Sequence, residues 1–176
     1  MSAIISPCQR YRYELRRPVA VVRGVWDRRP ANGPVLFLML NPSTANATLN
    51  DPTIRRCIGF AQDWRHDELV VGNLYAFRAT DPKDLWKNEA PAGPDNDTHL
   101  REMVKECRKV VCAWGTNAMP GRVRDVVTII REMDGKMLCL GVTKHGHPRH
   151  PLYLPKTAEL MPWEPNVTPR GSWVMP

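Results

Sequence analysis

Paired cysteines are missing from this chain. Its five cysteines, Cys8, Cys57, Cys107, Cys112 and Cys139, are odd in number and scattered, and no C-x-x-C occurs. That sets aside a disulfide framework and a cysteine-based zinc site. Cys57, Cys112 and Cys139 lie inside apolar runs and are expected to be reduced and buried. Long hydrophobic stretches are missing as well. The longest apolar run, VLFLML at 35–40, is far too short to span a bilayer. The opening residues, MSAIISPCQRYRYELRR, hold no apolar stretch long enough for a secretory signal. The expectation is a soluble, cytoplasmic chain with no membrane partner. There is no internal repeat, and acids are outnumbered, 18 against 25 lysines and arginines, for a net charge of +7. That excess suits a polyanionic partner or simply a soluble surface.

What is present is an ordinary globular composition, 43% hydrophobic and 24% charged over 176 residues, enough for one domain with its own core. Tyr11 to Leu15 and Val19 to Trp26 are expected as two short strands forming an opening hairpin through Arg16-Arg17-Pro18. Four apolar runs follow: VLFLML at 35–40, LVVG at 69–72, KVVCAW at 109–114 and MLCLGV at 137–142. Unbroken runs of this kind suit parallel strands buried on both faces. Between them lie amphipathic segments. Asp51-Pro52 is a helix start with Ile54, Ile58, Ala61 and Trp64 at helical spacing. A second helix is expected from Asp95 to Cys107, and Val123, Val126, Val127 and Ile130 mark a third. The stretch from Asn73 to Asp95 reads as an irregular loop. Alternating strands and helices predict an α/β three-layer sandwich with a central parallel four-stranded sheet and an N-terminal β-hairpin. Residues 1–154 form its single domain, and 155–176 a proline-rich tail.

Sheets of this type bind ligands outside the carboxyl ends of their strands, and each apolar run here is followed at once by a distinctive polar or glycine-bearing segment. The first is Asn41-Pro42-Ser43-Thr44. The Asn41 amide can donate and accept, Pro42 stiffens the turn, and Ser43 and Thr44 can hold a phosphate or a water. The alternative is an ordinary capped turn. Asp51 is a candidate general base, although the Asp-Pro signature favours capping its helix. After the second strand come Asn73, Tyr75, Phe77 and Arg78. An amide, two aromatics and a guanidinium are the parts needed to read a base edge, stack on its ring and neutralise a phosphate. Core packing of the two rings is the rival reading. Trp114-Gly115 after the third strand is read as structural. After the fourth comes His145-Gly146-His147-Pro148-Arg149-His150-Pro151. Its histidines can donate to a developing anion or shuttle a proton. The spacing fits no common zinc pattern, so no metal and no cofactor is expected. Arg149 is a candidate phosphate contact.

With these segments in order, the chain resembles the DUF1643 family. The residues that carry the match are Arg10-Tyr11-Arg12-Tyr13 with Leu15, LNPSTA at 40–45, Asn50-Asp51-Pro52-Thr53, GNLYAFRATDP at 72–82, AWG at 113–115 and GHPRHPLYL at 146–154. A more distant resemblance is to the uracil-DNA glycosylase superfamily. There an Asn-Pro version of the first motif is similar to Asn41-Pro42, and an asparagine-to-arginine segment to Asn73 through Arg78. A glycine turn matches Trp114-Gly115, and a late His-Pro motif matches His147-Pro148, with His150-Pro151 fitting nearly as well. Met39 stands where that superfamily has a glycine, and position 41 carries no acid.

The resemblance implies a DNA glycosylase-like hydrolase of base excision and DNA repair, cleaving the N-glycosidic bond of uracil or a damaged or modified base. In that reading Asn41 orients the attacking water and His147, or His150, donates to the departing base. Asn73 reads the base, Tyr75 or Phe77 stacks on it, and Arg78 and Arg149 grip the backbone. A monomer acting on single- or double-stranded DNA is expected. A catalytically silent nucleic-acid or modified-base binding module, and an enzyme of free nucleosides or nucleotides, are the alternatives.

Overall fold

The structure, a computed structural model, describes residues 1–21, 29–43 and 49–165. Among them the chain forms one seven-stranded sheet and three α-helices. The strands are β1 (Ser2–Ile5), β2 (Arg12–Pro18), β3 (Pro34–Met39), β4 (Glu68–Asn73), β5 (Lys109–Cys112), β6 (Lys136–Cys139) and β7 (Met161–Pro162). The helices are α1 (Pro52–Asp63), α2 (Asn96–Cys107) and α3 (Pro120–Glu132). The strand order is β1-β2-β4-β3-β5-β6-β7.

This corrects the expectation of a four-stranded parallel sheet: the sheet is mixed and larger. The four apolar runs pair side by side in parallel as β4, β3, β5 and β6. Antiparallel strands extend them, β2 and β1 on one side and β7 on the other. Of these, β2 answers to the strand expected from Tyr11 to Leu15, whereas β1 and β7 escape a hydrophobicity reading because they are edge elements. Every residue of β1 and β7 is exposed or half-buried. An N-terminal hairpin is present, formed by β2 pairing with β1; most of the stretch expected as its second strand, 19–26, lies outside the described residues.

Alternation along the strands divides the core in two. Leu36, Leu38 and Val70 face α2 and α3, which contribute Leu100, Met103, Val104, Val126 and Ile130. Val35, Phe37, Leu69 and Val71 face α1, which contributes Ile54, Cys57, Phe60 and Ala61. Helix α1 starts where the sequence places it, with the Asp51 side chain accepting from the Ile54 N–H and proline in the first turn. The long loop after β4 is not wholly irregular. It holds a 3-10 helix, Pro82–Lys87, capped by Asp81. Beyond residue 154 the chain first packs on the body: Ala158 and Leu160 join the α1-side core, and Trp163 is buried on the other. No helix among the described residues is long and apolar enough to cross a membrane.

Strand β3 has β4 on one flank and β5 on the other, so the chain reverses its direction of travel across the sheet at β3. The loops that leave β3 and β5 therefore diverge, and a crevice opens above the strand ends.

Candidate functional site

A cavity of about 510 Å³ occupies that crevice, within the size range of small-molecule pockets. Its walls come from the loops after β3, β4, β5 and β6, from the start of α1 and from β2. Asn41, Ser43, Asp51, Arg149 and His150, all candidates from the sequence, line it.

The loop after β3 is held in place by the segment after β4. The Leu74 and Tyr75 N–H groups donate to the carbonyls of Met39 and Leu40, and the Ala79 N–H donates to the Pro42 carbonyl. The Asn41 amide nitrogen is spent on the same seam, donating to the Ala79 carbonyl at 2.8 Å and the Pro42 carbonyl at 3.1 Å. Its Oδ1 is thus the amide atom with accepting capacity for a ligand or water. Pro42 is buried in this seam, and Thr44 lies outside the described residues.

Asp51 both caps α1 and faces the cavity. Its Oδ1 accepts the Ile54 N–H at 2.8 Å, and its Oδ2 accepts the Ser43 hydroxyl at 2.6 Å. The neighbouring Asn50 is clamped by Arg17, whose Nε donates to Asn50 Oδ1 at 2.6 Å. The carboxylate is therefore fixed in orientation from both sides.

The loop after β6 turns back sharply. Thr143 N–H donates to the His147 carbonyl, Val142 bridges to Pro148, and Arg149 N–H donates to the Gly141 carbonyl. Gly115, whose φ of +73° favours glycine, ties the β5 loop to this one by donating to the Pro148 carbonyl. The result places Arg149 and His150 on the cavity wall. His147 does not line the cavity, and its backbone N–H is bound by Thr143 Oγ1 at 3.2 Å. The Leu152 N–H donates to His150 Nδ1 at 3.3 Å, which puts the neutral ring's proton on Nε2. Burial pushes the His150 imidazole down from its ordinary value, and nearby Asp51 only partly restores it, so the ring is neutral at pH 7.

The other candidates stand apart. Asn73 ends β4 in register with Met39, which lines the cavity, but Asn73 itself does not. It is 1% exposed, and among the described residues neither of its amide atoms has a hydrogen-bond partner. Tyr75 is buried edge-on against Trp86, with its hydroxyl accepting the Met119 N–H at 3.1 Å. Phe77 packs against Tyr11, and Arg78 donates to the Gln9 carbonyl at 3.2 Å. Both rings pack on neighbouring side chains, Tyr75 buried and Phe77 half-buried.

Several lining residues were not anticipated. Arg12 is the most consequential, a guanidinium only 2% exposed that lines the cavity. It gets there by a β-bulge. The β1–β2 register jumps from Ile4 opposite Glu14 to Ile5 opposite Arg12, leaving Tyr13 as the extra residue. Tyr13 stacks on His99 of α2 at 4.8 Å, while Arg12 turns to the α1 side. Burial pushes Arg12 down to about 10 against the opposing pull of Asp51, and it stays charged at neutral pH. Trp114, read as structural, lines the cavity and stands edge-on to Trp163 at 5.1 Å. Thr53, Thr80, Thr116, Asn117, Thr143 and Tyr153 complete a wall rich in hydroxyls. Among the described residues, no group of three His, Cys, Asp or Glu is placed to hold a metal ion.

No curated protein and no solved structure matches the chain. The family described as protein of unknown function (DUF1643) matches residues 12–152, from the buried arginine of β2 to the turn after His150, and the chain belongs to that family.

Proposed function

We propose that the protein is an N-glycosyl hydrolase that draws a nucleobase carried in DNA, uracil or a damaged or modified base, into this cavity. The observation that carries the reading is the convergence on one cavity of Asn41, Ser43, Asp51, His150 and the buried Arg12, drawn from four separate segments. In such a cleavage the C1′–N bond breaks with its electron pair going to the base. Positive charge develops on the sugar and negative charge on the base. Water supplies the oxygen of the new C1′–O bond, and its proton passes to the base or to solvent.

The groups present match that charge pattern. The fixed Asp51 carboxylate favours a cationic sugar. Asn41 Oδ1 and the Ser43 hydroxyl are suited to orient the water. Arg12 and His150 Nε2–H are donors for the departing base, preorganised where water is scarce. The order of segments along the chain, which resembles the uracil-DNA glycosylase superfamily, supports the same reading. The late His-Pro motif then falls on His150-Pro151.

The test is base release from labelled single- and double-stranded oligonucleotides carrying uracil, mismatches or modified bases. Removing a single positioned donor typically costs about 10²- to 10³-fold. Release should fall by that order in Asn41→Ala, His150→Ala and Arg12→Lys, the last keeping the charge but losing the planar fork. His147→Ala should retain it. Release that survives all three substitutions refutes the assignment. One observation favours a second reading, a silent base-binding module: both Asp51 oxygens already accept hydrogen bonds, which suits a carboxylate that caps α1 and fixes Ser43. Salt-sensitive binding with no abasic product from any substrate would select that reading.

A further inference from the structure

A second concavity, of about 620 Å³, lies on the outer side of α1 and shares a wall with the first. The shared wall is a ridge made by the first turns of α1 and by the 3-10 helix Pro151–Tyr153. Successive residues of each element face opposite sides of it. Thr53 and Ile54 line the cavity, whereas Pro52, Arg55 and Arg56 line the groove. Likewise His150 and Tyr153 line the cavity and Leu152 the groove. Tyr153 stands 76% exposed on this ridge and Leu152 41% exposed.

The groove is basic, with Arg55, Arg56 and Lys156 against a single acid, Asp63. Its arginines are held by backbone oxygens and not by carboxylates. Arg55 donates to the Asn50 carbonyl at 2.6 Å, and Arg56 donates to the Leu154 carbonyl while lying over the Phe60 ring. Among the described residues none of the three cations is in an ion pair, whereas Arg16, Arg101, Arg108, Arg122 and Arg131 are each matched to a carboxylate. Positive charge is thus left outside ion pairs in the groove beside the cavity, as it is not at those five arginines.

We infer that this groove is a second binding site, which receives the phosphodiester backbone of a nucleic acid strand whose base occupies the cavity. The inference rests on the proposed function and sharpens it: the substrate is a polynucleotide, not a free nucleotide. A strand laid across the ridge has its phosphates on Arg55, Arg56 and Lys156, and its neighbouring bases against the exposed Tyr153 and Leu152. Each neutralised phosphate contributes through counterion release.

The experiment is fluorescence anisotropy with labelled single- and double-stranded oligonucleotides over a range of salt. It compares the wild-type chain with Arg55→Gln/Arg56→Gln/Lys156→Gln. The control Arg101→Gln/Arg108→Gln/Arg131→Gln removes equal charge from the α2–α3 side. Arg55→Gln/Lys156→Gln keeps the Arg56 hydrogen bond to the Leu154 carbonyl intact, and circular dichroism checks each fold. The groove variant should bind at least about tenfold more weakly, with a log–log salt slope smaller by roughly 0.7–0.9 for each phosphate no longer neutralised. The double variant should fall between, and the control should follow the wild type. A groove variant that keeps wild-type affinity and slope, a control that weakens equally, or a wild-type chain that binds neither oligonucleotide overturns the inference. The two readings fail separately. Weakened binding with no base release from any substrate sustains the groove and removes the glycosylase, and wild-type base release by a groove variant does the reverse.

Discussion

Both carboxylate oxygens of Asp51 are engaged, one by the Ile54 N–H at 2.8 Å and the other by Ser43 Oγ at 2.6 Å. Asp51→Asn keeps an oxygen for the cap and removes the charge, whereas Asp51→Ala removes both. Replacing a capping side chain by alanine costs about 1 kcal/mol. Urea unfolding should therefore find Asp51→Asn close to wild type and Asp51→Ala about 1 kcal/mol weaker. Base release should fall in both. Loss of activity that tracked stability, with Asp51→Asn fully active, would leave the carboxylate as a cap and nothing more. Asn41, Ser43, Asp51, Arg149 and His150 were legible because each sits beside an apolar run or a Pro-bearing turn that fixes its place. The choice between His147 and His150 was not, since it depends on how the 142–148 turn closes. Arg12 was hidden for a different reason. Simple alternation along β2 does not reveal its facing, which a single bulged residue, Tyr13, resets.

Strands β3 to β6 and all three helices could be read from hydrophobic pattern because burial on two faces, or on one helical stripe, leaves a strong periodic mark. Strands β1 and β7 could not. Edge pairing uses backbone groups that every residue carries, so SAII and MP bear no such mark. The close fit of β4 to α2 is likewise invisible in the sequence, yet it hangs on one glycine. A Cβ at Gly72 would lie 2.8 Å from Met103 Cε, 2.9 Å from Leu38 Cδ2 and 3.3 Å from Leu100 Cδ2. All three neighbours are fully buried, so none can swing into solvent. Overpacking of this kind typically costs about 1–3 kcal/mol. Gly72→Ala should lower the urea midpoint accordingly with an unchanged m-value. An unchanged midpoint would mean that α2 yields freely, and that the sheet–helix packing is looser than these distances imply.

Three histidines couple the folded chain to pH. His66, which is 1% exposed with Nδ1 against the Gly33 carbonyl at 2.8 Å, supports the segment leading into β3. His147 and His150 belong to the loop after β6 that walls the cavity. Burial lowers all three below the ordinary histidine value of 6.5. The unfolded chain therefore binds protons near 6.5 that the native chain still refuses, and stability falls wherever the unfolded state binds more. Their contribution is fully present above pH 6.5 and is lost progressively below it. Glu106 acts in a lower window. Arg16 holds its carboxyl below the ordinary 4.5, so its contribution persists above that value and is lost as pH falls through its lowered one. The urea midpoint should be level from about pH 8 to 7, decline by about pH 5.5, and decline again in stronger acid. His66→Gln should be less stable than wild type at neutral pH, having lost the ring's bond to Gly33, yet show a shallower fall between pH 7 and 5.5. A wild-type midpoint that stays level to about pH 5 would mean that the rings titrate as freely in the native protein as in the unfolded one. Neither the support of β3 by His66 nor the neutral His150 of the cavity would survive that result.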